Sequence, residues 1–429
     1  MRSCRRIRPH TTHLSVIGVL ALVAGSSWVS GALAQSVFDR SQAVGVLDRP
    51  HPEYDAQGMR AGTFLVYPRF QGGVNRNSNV YATETNKTAD TVYAAKPSVA
   101  IQSQWSSHSL ALTADADLLR HSKLKTENTT AYQAAVSGRL DVQRDSNVSG
   151  SVALGRAFEA RTSPNFTAPT RKPVQYDTRT VSVRGMKQFN RLQATGSASL
   201  ASLDYRDSQT FAGATVDQDF RDSDTGTVVA RLDYAVSPAT AVFGEVSGTK
   251  ADVDRLPGVP DRGSSGVRGL TGVNFSLTNL ITGEVSAGYL TTSFDDGVTS
   301  DVNQAAYRGN INWYVTPLVT LTGNAERQVL NSGAIGSPAY VSDSAGARAD
   351  YEARRNFIIS GRVNYSRDAY QNLDRDDKRL SLSLTATYLL NRNVGVTFNV
   401  QQVVQDSFGA ARTIDYDYGV AGVGLVLRL

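Results

Sequence analysis

Apolar and polar residues alternate strictly over most of this chain. From Arg379 to Leu390, one side carries Leu380, Leu382, Leu384, Ala386, Tyr388 and Leu390. The other carries Arg379, Ser381, Ser383, Thr385 and Thr387. Val394, Val396, Phe398 and Val400 then alternate with Gly395, Thr397, Asn399 and Gln401, and stretches 110–118, 192–200, 319–325 and 357–365 behave alike. Successive side chains of a strand point to opposite faces, so this period predicts half-apolar strands, and helical periodicity is scarce.

Two kinds of connector separate the runs, and they alternate. Short ones are Trp105-Ser106-Ser107-His108, Arg144-Asp145-Ser146, Phe189-Asn190-Arg191, Ser237-Pro238-Ala239-Thr240, Leu277-Thr278-Asn279, Thr316-Pro317, Arg354-Arg355 and Leu390-Asn391-Arg392-Asn393. Long polar ones span 75–90, 122–128, 163–175, 207–222, 252–263, 295–301, 331–339, 371–376 and 407–411. Eight short and nine long connectors predict about eighteen strands, or sixteen if one hairpin is miscounted. Short turns on one rim and long loops on the other describe a transmembrane up-and-down antiparallel β-barrel, an all-β fold with periplasmic turns and extracellular loops. Only a closed sheet can span lipid, and each run reaches the 9–11 or so residues that a crossing needs. A soluble propeller or sandwich would also alternate, without segregating its loop lengths by rim. The last strand fits the barrel, with Val423, Leu425, Leu427 and Leu429 alternating to the final residue.

The first thirty-four residues follow another rule. Arg2, Arg5, Arg6 and Arg8 precede an apolar run from Leu14 to about Ala24, and Gly31-Ala32-Leu33-Ala34 offers small residues before Gln35. This is the pattern of a secretory signal peptide cleaved between Ala34 and Gln35. The expected organisation is a signal peptide over 1–34, a periplasmic N-terminal segment over 35–58 and an outer-membrane barrel over 59–429. Removing four arginines from a formal charge of +5 leaves +1, so the isoelectric point near 9.2 belongs mostly to the leader. Nucleic acid is therefore not an expected partner. The one cysteine, Cys4, leaves with the leader, so no disulfide framework or Cys-rich metal site remains. Mean hydropathy of -0.27 excludes a polytopic helical membrane protein but not a barrel.

Residues Arg49-Pro50-His51-Pro52-Glu53-Tyr54-Asp55 precede Gly58-Met59-Arg60-Ala61-Gly62-Thr63-Phe64-Leu65-Val66-Tyr67-Pro68. Together they resemble the start of the outer-membrane β-barrel porin family (type 2) of proteobacteria. Weaker matches are Phe189-Asn190-Arg191-Leu192, Thr282-Gly283-Glu284-Val285 with Gly288-Tyr289, and Tyr388-Leu389-Leu390-Asn391-Arg392-Asn393. The resemblance covers roughly 45–429. It implies a porin-like barrel, in some members a partner of exopolysaccharide export, with no catalytic residue and no cofactor.

If the alternation holds, the polar face lines a lumen with Asp115, Asp117, Arg139, Asp141, Arg184, Arg231, Asp233, Glu245, Arg268, Glu284, Glu326, Arg362 and Arg379. Charges facing lipid at mid-depth would each cost about 2–4 kcal/mol. Mixed signs among many Ser, Thr, Asn and Gln do not make an ion filter, which uses rings of one sign. Such a wall suits sugars, and the same charges serve equally as structural ion pairs. Trp105, Phe189, Phe275, Trp313, Tyr314, Phe357 and Tyr388 lie near short turns, where a lipid-interface girdle belongs. Asp222-Ser223-Asp224 and Asp374-Arg375-Asp376-Asp377 lack the spacing of a calcium loop, and no metal site is expected.

Catalysis finds little support. Beyond the leader the histidines are His51, His108 and His121, and neither His-Glu-x-x-His nor Gly-x-Ser-x-Gly occurs. The leading expectation is a passive outer-membrane channel for polar solute or secreted exopolysaccharide. Rivals are a non-conducting structural or adhesive barrel, and a barrel enzyme at the outer rim near His121. Expected partners are outer-membrane lipid and lipopolysaccharide, the outer-membrane assembly machinery, and polysaccharide-export proteins.

Overall fold

The computed structural model describes residues 38, 43–165, 170–255, 261–334 and 336–429. The expected leader and its cleavage site fall outside them. Eighteen long strands form one closed antiparallel sheet. They are β1 Phe64–Asn77, β2 Asp90–Ser103, β3 Ser109–His121, β4 Thr129–Gln143, β5 Ser146–Phe158, β6 Gln175–Phe189, β7 Leu192–Tyr205, β8 Ser223–Ser237 and β9 Thr240–Val253. The second half comprises β10 Ser264–Leu277, β11 Ile281–Phe294, β12 Val302–Thr316, β13 Val319–Asn331, β14 Ala339–Arg354, β15 Phe357–Tyr370, β16 Asp376–Leu389, β17 Val394–Phe408 and β18 Tyr416–Arg428. Each pairs with its sequence neighbours, and β1 pairs with β18 from Arg69↔Arg428 to Asn77↔Val420. Closure leaves no edge strand, which is what lets a sheet sit in lipid.

Loop lengths segregate as expected, with two to five residues between strands on one rim and five to seventeen on the other. The turn Leu277–Leu280 shows how a short connector closes. Thr278 and Asn279 both have positive φ, and Leu280 N–H donates to Leu277 O at 3.1 Å, a type I′ geometry that matches the strand twist. The nine long loops are L1 (78–89), L2 (122–128), L3 (159–174), L4 (206–222), L5 (254–263), L6 (295–301), L7 (332–338), L8 (371–375) and L9 (409–415).

The two faces separate cleanly because cross-strand partners share a side. Leu382, Leu384, Phe398, Val400, Val423 and Leu425 are exposed apolar residues on one continuous face. In a soluble protein this would be a severe liability; in a bilayer it is the lipid contact. Phe189, Trp313, Tyr351 and Tyr388 stand on this outer face beside short turns. Tyr314 departs from the girdle expectation. It pairs with Thr320 on the lumen face, one position out of phase with Trp313.

Outward charges gather at the loop ends of the strands. Tyr132, Arg156, Asp177 and Asp204 form one row across β4–β7. Arg156 binds Asp177 at 2.8 Å, and Arg206 of L4 reaches the same carboxylate at 2.6 Å. At this height side chains meet polar head groups, so the desolvation cost of mid-bilayer does not apply.

Candidate functional site

The lumen is the interior that the polar faces enclose, and barrels of 16–18 strands are wide enough for an aqueous channel. All thirteen charged residues singled out from sequence lie on the face opposite the exposed apolar one. The structure brings six of them into one wall patch. Arg231 on β8 binds Asp233 at 2.7 Å and reaches Glu284 on β11 at 2.7 Å, with Glu245 on β9 at 3.6 Å. Arg268 on β10 binds Glu326 on β13 at 3.2 Å. The sequence reading missed the residue that completes this patch. Arg308 on β12 lies 3.0 Å from Glu245 and 3.5 Å from Glu284. Its even position, in phase with Asn310 and Asn312, was the available signal.

Reach across two strands needs room. A Cβ on Gly272 of β10 would stand 2.4 Å from Val285 O and 2.6 Å from the Phe243 ring. The ring fills that space, and the Arg231 guanidinium lies over it at 3.7 Å on its way to Glu284. Glycine here lets the aromatic ring act as a shelf for the cation.

The remaining predicted residues are dispersed. Asp117 pairs with Lys96 at 2.8 Å, another residue missed from sequence, and Asp115 lies one turn of the alternation away. Arg139 binds Asp141 at 2.7 Å, and Asp141 also accepts the His108 N–H at 3.1 Å, which places both at the short-turn rim. Arg379 donates to Gln405 at 2.7 Å. Arg184 on β6 and Arg362 on β15 stand on nearly opposite walls. Hydroxyls and amides bond along the wall between these groups, as in Ser151–Ser182 at 2.7 Å and Thr322–Asn312 at 3.0 Å.

The long-loop mouth is crossed by L3. Its root is tied to its own side, where Glu159 and Arg221 of L4 form a buried pair at 2.6 Å and Arg161 binds Glu127 at 2.7 Å. Further along, it touches the opposite wall. Tyr416 donates to Thr162 O at 3.2 Å, Tyr370 donates to Pro164 O at 2.8 Å, and Asn165 accepts Gly333 N–H of L7 at 3.0 Å. Six buried inward tyrosines surround this mouth in three stacked pairs: Tyr176–Tyr205, Tyr340–Tyr370 and Tyr416–Tyr418. Each lies at a strand end beside a long connector, in phase with the polar face.

A strap lines the other mouth. Val46 N–H donates to Thr320 at 3.0 Å, Arg49 binds Glu352 at 2.9 Å, Arg392 donates to Pro52 O at 3.1 Å and Arg428 to Tyr54 O at 2.5 Å. It follows the inner rim from β13 round to β18.

His121 sits against Asp90, with Nδ1 at 3.6 Å from Oδ2. The Asp90 carboxylate accepts the backbone N–H groups of Lys123 and Leu124, so it shapes L2. Three carboxylates do converge in L4, those of Asp207, Asp217 and Asp219, all exposed. They are not the acidic runs marked in the sequence.

A family profile described as "Putative beta-barrel porin 2" matches residues 51–429. The chain belongs to this porin family. It is an outer-membrane β-barrel channel of porin type, and its family are channels, not enzymes. Solved barrels similar to this porin include Acinetobacter baumannii OccAB3, 11% identical with a TM-score of 0.46, over 86% of this chain and 100% of that one. Pseudomonas aeruginosa OccK5 (OpdH) is 11% identical with a TM-score of 0.43, again over 86% and 100%. Pseudomonas aeruginosa OpdK with vanillate is 11% identical with a TM-score of 0.45, over 85% and 99%. No curated protein matches the sequence.

Proposed function

We propose that this porin passes polar, hydroxyl-rich solutes by diffusion, secreted exopolysaccharide among them. The carrying observation is charge compensation within the wall. Arg231, Arg308 and Arg268 spend their charge on Asp233, Glu245, Glu284 and Glu326, so no ring of one sign faces the solute. Between the pairs, and among dispersed single charges such as Arg184 and Arg362, the wall carries hydroxyls and amides, which exchange hydrogen bonds with sugar at little cost. Lipopolysaccharide at the outward arginines, the assembly machinery at the terminal strand and a polysaccharide-export protein at the strap rim are the proposed partners.

The contact of L3 with L7 over the lumen favours a second state, a barrel shut at rest. Planar-bilayer conductance of residues 35–429 separates the two. Steady open events that soluble polysaccharide blocks are the expected result. A folded barrel that never conducts overturns passive passage. Glu159→Gln leaves Arg221 buried without its counter-charge, a loss of about 3–5 kcal/mol at the root of L3. Conductance of this variant is expected to rise several-fold, whereas an unchanged trace would show that L3 is no barrier.

A further inference from the structure

The wall is not uniformly sealed. The ladder between β12 and β13 runs from Thr316↔Val319 to Arg308↔Glu326 and ends there. Above it β12 continues to Val302 paired only with β11, and β13 continues to Asn331 paired only with β14. Unpaired strand backbone is not tolerated against lipid and is found where it borders protein or a water-filled cavity. The upper part of the β13–β14 hairpin accordingly curls inward, with β14 still laddered to β15 as far as Tyr340↔Tyr370. Val329, Ala339 and Val341 lie on the face that is lipid-directed lower in these strands. Here they pack against Leu270, Leu290, Phe294, Val302 and Ala306, which are lumen-directed on β10–β12. Ser332 O accepts Arg262 of L5 at 3.2 Å, which places the hairpin end over the inside of β10.

One polar contact bridges the seam from outside. Asp343 on β14 holds Arg327 on β13 at 2.5 Å and accepts Tyr307 OH from β12 at 2.9 Å. On the inner side, the foot of the seam carries the Arg268–Glu326 pair, and Arg268 stands beside the apolar cluster, opposite Leu290 in the ladder and two residues from Leu270. A packed apolar cluster and a charged pair thus adjoin a stretch of wall whose ladder is interrupted.

We propose that this seam is a lateral portal for an amphiphile of acyl-chain class, latched by Tyr307, Arg327 and Asp343. When the inturned end of β13 and β14 parts from β10–β12, with β14 keeping its ladder to β15, the chain lies along Leu290, Val302 and Val341, and its head group meets Arg268. This holds whatever solute uses the axial route.

The test is photolabelling of the reconstituted barrel with diazirine-bearing palmitate, read residue by residue by mass spectrometry on heat-modifiable, folded protein. Wild type should take label at Leu290, Val302 or Val341 as well as at outward Val285 and Tyr289. Asp343→Asn, or Tyr307→Phe should that variant not fold, should raise the inner label at least threefold. Ala306→Trp should fill the cluster and reduce inner label to background while outward label persists. Label confined to outward residues in wild type and latch variants overturns the portal, as does inner label that Ala306→Trp leaves unchanged.

Discussion

At the scale of single residues, the mouth is where ionisation is least ordinary. Burial beneath the loops, with Asp204, Asp219 and Asp254 nearby, pushes Asp222 of L4 from 3.8 up to about 6, although it accepts the Tyr205 N–H. The folded barrel therefore holds this proton over a range in which the unfolded chain has lost it. Stability falls as pH rises from about 4 to 6 and stays lower above, the reverse of a salt-bridged aspartate. Asn at this position resembles the protonated form and keeps the acceptor for Tyr205. The urea midpoint of Asp222→Asn should match wild type at pH 4 and exceed it at pH 7.5. The gain should be at most about 1 kcal/mol, because the half-exposed site is screened by solvent. Equal midpoints at both pH values would remove Asp222 as the cause.

At the scale of elements, the strands were legible and their long-range partners were not. Arg231 and Glu284 stand on the predicted face because alternation fixes a residue's side. Alternation says nothing about which charge meets which across two intervening strands. That meeting depends on Gly272, whose missing side chain makes room for Phe243, and a glycine in a strand reads equally as bulge or gap. Tyr314 was misplaced for a related reason: nearness to a turn does not give phase, and Trp313 beside it already holds the outward position. Gly272→Ala should drive the Phe243 ring aside, detach Arg231 from Glu284 and cost about 1–3 kcal/mol as an overpacked site. Gly269→Ala on the same strand faces open space and should cost nothing. Urea midpoints of the two refolded variants make the comparison, and equal values would remove Gly272 from the account.

At the scale of the whole molecule, the barrel is a closed sheet whose two mouths are furnished by separate segments. L3 crosses the long-loop mouth because Glu159 and Arg161 fix its root; sequence gave its length but no direction. At the short-turn mouth the strap is held by side-chain contacts to the barrel, and Glu352 is shared between two of them. Its carboxylate takes Arg49 at 2.9 Å and faces His51 at 3.4 Å, with Glu352 and His51 both buried. Neither strap nor barrel would lose its own backbone ladder if this node failed, so the strap should open without the cylinder. Removing one partner of a fully buried pair costs about 3–5 kcal/mol; the partly exposed Arg49 lowers that, and about 1.4 kcal/mol is enough to raise the open population of the strap tenfold. Cleavage at Tyr54 by chymotrypsin tracks that population when reclosing is fast. Glu352→Gln should therefore speed removal of the strap at least about tenfold while the heat-modifiable barrel stays intact. Asp415→Asn, at the far rim, should leave the rate alone. Unchanged cleavage in Glu352→Gln would mean that Val46, Arg392 and Arg428 hold the strap without this node.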